Sequence, residues 1–270
     1  MTIQGAAFCA ASVLSAVLFA HPAAAQTKPP KGWTVPRLAD GKPDLNGIWE
    51  VGAKETRTKV DADLEGKIGG KNIIVDPPNG KIPYKPEGLA KKKENFAVRA
   101  KSDPVVAKCF QPGVPRLMYL PYPLQIVQAA GQPTIAILSQ YVHMLRNIFF
   151  TGEHLDGLDL WGGDSRAHWD GDTLVVDVAD FNDQTWFDQA GNHHSDALHV
   201  VERFTRIGPE TITYEATIED SKTLTRPFKI SLPLTLHTEK NFQLMEYECY
   251  AMKQGPSITA GDKPDPEHGR

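Results

Sequence analysis

Leu198–Glu219 reads LHVVERFTRIGPETITYEATIE. In its second half Ile212, Tyr214, Ala216 and Ile218 alternate with Thr213, Glu215, Thr217 and Glu219. That period of two belongs to a strand with one buried face and one wet face. In the first half Leu198, Val200, Glu202 and Phe204 share a face, which sets a carboxylate among apolar neighbours. Ile207-Gly208-Pro209-Glu210 between the halves has the composition of a turn. Together they specify an antiparallel hairpin.

The same grammar extends in both directions. Toward the N-terminus, Arg166–Trp169 and Thr173–Val178 flank Asp170-Gly171, a type I′ hairpin signal. Further back stand the apolar runs 124–130, 134–139 and 141–150, and an opening run, Asp44–Val51. Toward the C-terminus, Phe228, Ile230, Leu232, Leu234 and Leu236 share one face, and 242–249 reads as a last strand carrying Glu246 beside Phe242 and Leu244. About eight strands with short connections predict an all-β fold: an antiparallel up-and-down barrel or strongly curled sheet, lipocalin-like, with long loops. Residues 53–84 read as a decorated loop, and Pro86–Arg99 as the one short helix, with Leu89 and Phe96 a heptad apart.

The ends are different in kind. Residues 1–25 carry no Lys, Arg, Asp or Glu, hold an apolar centre at Val13–Phe19 and finish in Ala23-Ala24-Ala25, the pattern of an export signal. A Pro-rich arm, 26–43, precedes a single domain over 44–253, and 254–270 reads as a flexible tail. The chain is therefore expected in the periplasm or outside the cell, with no transmembrane segment. Two cysteines, Cys109 and Cys249, remain after the signal. In an oxidising compartment they pair, the alternative being two unrelated buried thiols. A net charge of −4 argues against nucleic acid as a partner.

Candidate chemistry is concentrated in Gly163–Arg206, with Trp169, Trp186 and four histidines among many carboxylates. His194, placed in a loop near Trp186 and Asp188, is expected to act as general base at the barrel mouth. Asp164, after Gly162-Gly163, is read as a carboxylate aimed into a cavity, although an Asp in such a turn also caps its own backbone. Glu202 on its apolar face needs a partner, and since Arg203 points the other way, Arg146 or Arg206 supplies it. Trp169, Trp186, Tyr247, His143 and His199 are read as ligand contacts; core packing is the plainer reading of the aromatic ones. His193, His194, His199 and Glu202 match no zinc-binding spacing, and Asp170-Gly171-Asp172 lacks the spacing of a calcium loop, so neither metal nor cofactor is expected. Gly-x-Ser-x-Gly, phosphate-loop, dinucleotide and CxxCH haem motifs are missing from the sequence.

Two resemblances follow. Gly47-Ile48-Trp49 at the head of the first strand resembles the Gly-x-Trp signature of lipocalins, whose Trp closes one end of an eight-stranded barrel. A second set covers most of the chain: Gly163-Asp164-Ser165, Trp169-x-Gly171-Asp172-Thr173-Leu174-Val175-Val176-Asp177, Phe181-Asn182, Thr185-Trp186-x-Asp188, His194-Ser195, Glu202–Arg206 and Glu246-Tyr247-x-Cys249. It resembles a family of secreted bacterial β-proteins of unassigned activity. The resemblance implies export and one β-domain. Members often carry Asp-Gly-Arg where Thr151-Gly152-Glu153 stands here. The residues point to a small apolar or aromatic ligand and to a cofactor-independent acid–base enzyme (lyase, hydrolase or isomerase), with a non-catalytic carrier of a hydrophobic ligand as the alternative.

Overall fold

The computed structural model describes residues 29–52, 63–68, 71–155 and 157–254. The expected export signal, 1–25, and nearly all of the expected tail lie outside them. Among the described residues twelve strands occur: β1 (Gly47–Val51), β2 (Lys67–Ile68), β3 (Lys71–Asn72), β4 (Ile74–Asp76), β5 (Leu124–Val127), β6 (Thr134–Ser139), β7 (Leu145–Phe149), β8 (Asp164–Asp170), β9 (Thr173–Ala179), β10 (Leu198–Gly208), β11 (Thr211–Asp220) and β12 (Phe228–Leu236). The helices α1 (Pro86–Ser102) and α2 (Cys249–Gln254) stand outside the sheet. β1 and β5 to β12 form a ring of nine, closed where Trp49 of β1 meets Leu236 of β12. β1 covers only one end of β12, and β4 pairs with the other through Ile230↔Ile74.

Eight of the nine contacts in the ring are antiparallel; β7–β8, at Phe149↔Arg166, is parallel. A parallel pair cannot be joined by a tight turn, so residues 150–163 form a crossover on the outside of the wall. Gly163 ends it at φ +69°, where a Cβ would sit 2.7 Å from the Phe181 ring and 2.8 Å from the Ala179 carbonyl. The β8–β9 turn also departs from expectation. Asp170 pairs with Thr173, so the two-residue loop is Gly171-Asp172, with only Gly171 left-handed, a type II′ rather than a type I′ turn.

Alternation fills the barrel as the sequence predicts. Phe204, Tyr214, Ile212, Phe228, Ile230 and Leu234 are completely buried. Trp49 is too, donating its indole N–H to the Leu45 carbonyl at 3.0 Å with the Arg206 guanidinium 5.6 Å over its ring. Gly47 before it has φ +141°, and a Cβ there would meet Leu236 at 2.4 Å, so this Gly-x-Trp is a packing requirement. The Pro-rich arm lies along one end of the barrel, tied down by Arg37 to Asp172 (2.8 Å) and by Asp40 accepting from the Gly131 N–H (2.8 Å).

Two expectations are corrected. Leu89 and Phe96 do not carry the buried face of α1; both are exposed, and Gly88 and Asn95 face inward instead. The helix approaches Thr223 so closely that a Cβ on Gly88 would be 2.9 Å from its carbonyl, a distance no large side chain allows. Nor do residues 242–249 form a strand. β12 is already paired on both sides, by β11 on one and by β1 and β4 on the other, and Glu246 is exposed. This segment runs as a strap to α2, where Cys249 is bonded to Cys109 across a sequence separation of 140. A link closing so long a loop constrains the unfolded chain strongly. Cys249→Ser is expected to lower unfolding free energy by about 4–5 kcal/mol in urea titrations. Free thiols in the unreduced protein would disprove the bond.

Candidate functional site

Arg146 points into the barrel from β7 and Glu202 from β10. The guanidinium holds the carboxylate at both oxygens, Nη1 to Oε1 at 3.1 Å and Nη2 to Oε2. Ser165 Oγ accepts from Arg146 Nε and Nη2 at 3.1 and 3.0 Å, and the Tyr214 hydroxyl donates to Glu202 Oε1 at 2.8 Å. Burial, reinforced by the Glu202 charge, pushes the Tyr214 phenol well above its usual range. Glu202 is fully buried and Arg146 4 % exposed. Arg146 is thus the mate that the apolar face of β10 called for. The bonds of all four groups are directed at one another, which is the geometry of a structural ion pair rather than of a proton-transfer site.

His194 lies in a loop as expected, but it is not open to solvent as a general base would be. It is buried to 3 % exposure, with Phe187 and Phe181 rings at 5.3 and 6.1 Å. Its Nδ1–H donates to the Ser195 carbonyl at 2.9 Å, so Nε2 accepts the Thr185 hydroxyl at 2.6 Å. Burial lowers its pKa, and the ring is a neutral, fully engaged packing element. Asp188 does not partner it. That carboxylate accepts from the backbone N–H groups of Leu64 (2.6 Å), Ala190 and Asn192 and from the Asn192 side chain (2.7 Å), pinning its own loop to residues 63–65. Burial raises Asp188 to about 6 and lowers neighbouring His193, stacked on Tyr84, to about 4.

Asp164 faces outward from β8, away from the barrel interior. Arg166 grips both of its oxygens (Nε to Oδ2 2.7 Å, Nη2 to Oδ1 3.1 Å). His154, from the β7–β8 crossover, places Nδ1 3.0 Å from Asp164 Oδ2 and Nε2 2.9 Å from Asp177 Oδ1 on β9. His199 of β10 brings its Nε2 to the same Asp177 oxygen at 2.9 Å. The structure therefore joins two predicted site residues, Asp164 and His199, through three that the sequence reading passed over: His154, Asp177 and Arg166. Strand parity could have found the last two, because Asp164, Arg166, Asp177 and His199 share the outer face of one antiparallel run. His154 sits in a crossover and carries no periodic signal.

The remaining aromatic predictions separate. Trp169 packs against the core and stacks with Phe150 at 6.4 Å, and Trp186 is half-buried in an isolated bridge with His193. His143 is exposed, 2.7 Å from Glu248. Tyr247 lines a concavity of about 280 Å³ beside the barrel, between the strap and the chain after α1. Val105, Leu120, Tyr122, Tyr141 and Gln189 form the opposite walls, with Cys249 and Met252 next to Tyr247. The rings of Tyr122 and Tyr247 are 4.5 Å apart, those of Tyr141 and Tyr247 5.7 Å.

No family model matches the chain, and no characterised protein matches it.

Replacing one member of the interior pair strands the other as a buried charge. Glu202→Gln is expected to lower stability by about 3–5 kcal/mol in chemical denaturation. A second expectation concerns acid. His193 has a folded pKa below its ordinary 6.5, so between pH 6.5 and about 4 the unfolded chain takes up a proton that the folded chain refuses, and stability falls with pH. Asp188, raised to about 6, acts in the opposite sense below that pH, so the informative comparison is with His193→Gln. That variant should lose less stability than the parent on acidification to pH 4, by on the order of 3 kcal/mol. Parallel pH profiles of the two proteins would show that His193 is not held neutral.

Proposed function

We propose that this protein is an exported β-barrel that binds a small apolar or aromatic molecule without transforming it, in the concavity beside Tyr247. The single observation that carries the reading is a separation. The concavity beside Tyr247 is lined by aromatic and aliphatic groups with Gln189, the composition of a ligand pocket. The groups named for acid–base chemistry lie elsewhere and in three unconnected networks: Arg146 with Glu202 inside the barrel, His194 with Thr185 under its loop, and Asp164 with His154 on the outer wall. An enzyme of the proposed acid–base kind needs its titratable groups at the cavity. The geometry therefore favours the carrier over the lyase, hydrolase or isomerase. Export is supported by the Cys109–Cys249 bond, by the apolar N-terminal segment ending at Ala25, and by the resemblance to secreted bacterial β-proteins. Among the described residues no helix is long and apolar enough to cross a membrane.

Calorimetric titration with substituted phenols, indoles and short aliphatic alcohols tests binding. At least one aromatic member is expected to bind at one per chain. Tyr247→Ala should weaken that binding about fivefold, the worth of roughly 1 kcal/mol of aromatic contact. Binding that persists unchanged in Tyr247→Ala, or turnover of the bound compound, would overturn the assignment.

A further inference from the structure

We infer that the outer wall of the barrel carries a divalent transition-metal site built from His154, Asp164 and Asp180. One ring nitrogen of His154 and one carboxylate oxygen from each aspartate lie within 4.8 Å of one another, close enough to share a single ion. The three come from separate parts of the chain that the β7–β8 crossover brings together: His154 from the crossover itself, Asp164 from the first residue of β8, Asp180 from just beyond β9. The Asp180 carbonyl accepts the Leu160 N–H at 2.9 Å, which ties the crossover to this end of the strands.

The observation that points to a ligand is at Asp180. Its Oδ2 atom is sealed from solvent and has no hydrogen-bond partner. A buried carboxylate oxygen without a donor carries a desolvation cost that a cation would offset. Charge leads the same way. Among the described residues, Asp164, Asp177 and Asp180 meet one permanent cation in this cluster, Arg166, and a divalent ion balances the remainder. Asp164 is only 4 % exposed and Arg166 holds both of its oxygens, so its orientation is fixed before any ion arrives.

His154 supplies the selectivity. Nδ1 faces Asp164, while Nε2 is 2.9 Å from Asp177 Oδ1. With Nδ1 on the ion, Nε2–H donates to Asp177, the carboxylate–histidine–metal relay that fixes the tautomer and raises ligand basicity. One imidazole and two carboxylates suit Zn²⁺ or Mn²⁺ better than Ca²⁺, which takes oxygen donors. Three protein ligands leave positions for water. His199, also on Asp177, sits next to the relay rather than in the first ligand set. The site does not depend on the pocket beside Tyr247.

The test uses the full chain, free of any affinity tag, dialysed against chelator and titrated calorimetrically with Zn²⁺, Mn²⁺ and Ca²⁺. The expected result is one Zn²⁺ or Mn²⁺ per chain with a raised Tm. Asp180→Asn keeps the shape of the residue and tolerates its left-handed backbone, φ +59°. It should weaken Zn²⁺ binding at least tenfold, as should His154→Gln, with the circular dichroism spectrum unchanged. Asp177→Asn should weaken it by about 10–100-fold. Should Asp180→Asn fail to fold, His154→Gln, in the crossover, decides alone. The assignment is overturned if no stoichiometric Zn²⁺ or Mn²⁺ binds, if both variants bind as the parent does, or if Ca²⁺ binds more tightly than Zn²⁺ and His154→Gln is indifferent.

Discussion

Closure with an odd number of strands is the constraint on which the rest of this structure depends. Around a ring of nine, directions cannot alternate at every contact, so at least one neighbouring pair must run parallel. Here that pair is β7–β8, and the parallel step forces residues 150–163 over the outside of the wall. The crossover delivers His154 to the outer face of β8 and β9, and its end at Gly163 packs too tightly for any Cβ. Closure also occupies both sides of β12, the strand beside which a following strand over 242–249 would have paired. Those residues become a strap, and the pocket beside Tyr247 exists because a strap lies there instead of a strand.

Inside the ring, the Arg146–Glu202 pair sits among side chains that are otherwise almost wholly apolar. Such a pair adds little net stability, since the desolvation of two charges offsets their attraction. What it does is penalise misalignment. Arg146 on β7 and Glu202 on β10 meet only if the three strand contacts between them are all in register. A slip of one residue at any of them would turn one member outward and strand the other. Ser165 and Tyr214 complete the hydrogen bonding from two further strands, so four strands share one polar centre. The carboxylate on an apolar face is therefore best understood as a register device, the role for which buried polar groups are most firmly attested.

Much of this was legible in the sequence, and the part that was not has a physical reason. Period two gave β10, β11 and β12 nearly to the residue, and it correctly set Glu202 inward and Arg203 outward, because parity is a local property of the chain. The cysteine pairing was recoverable from the arithmetic of two thiols. His194 was misplaced because an irregular segment gives no parity, and burial of the 185–195 loop arises from Thr185, Asp188 and Asn192 folding onto residues distant in sequence. The helix face was misread for a different reason. Periodicity marks large apolar residues, whereas α1 packs through the absence of a side chain at Gly88. Strand count and the parallel pair were illegible, since closure is a property of the whole ring.

The same parity explains why the chemistry of this chain looks concentrated in sequence but is dispersed in space. Along 163–206 the carboxylates, histidines and aromatic residues are neighbours in the chain, yet each strand sends alternate residues to opposite sides of a wall. Ser165 and Asp164 are adjacent and serve the barrel interior and the outer cluster respectively. Glu202 and Arg203 are adjacent; one is fully buried and the other reaches Asp170 on the surface. Density of titratable residues in a β-sequence is thus a weak guide to a shared site unless the residues have the same parity. Asp164, Arg166, Asp177 and His199 do, and they are the ones that meet. For a barrel, then, a candidate site should be sought first among residues of one parity on adjoining strands, and only afterwards among those that merely crowd one stretch of chain.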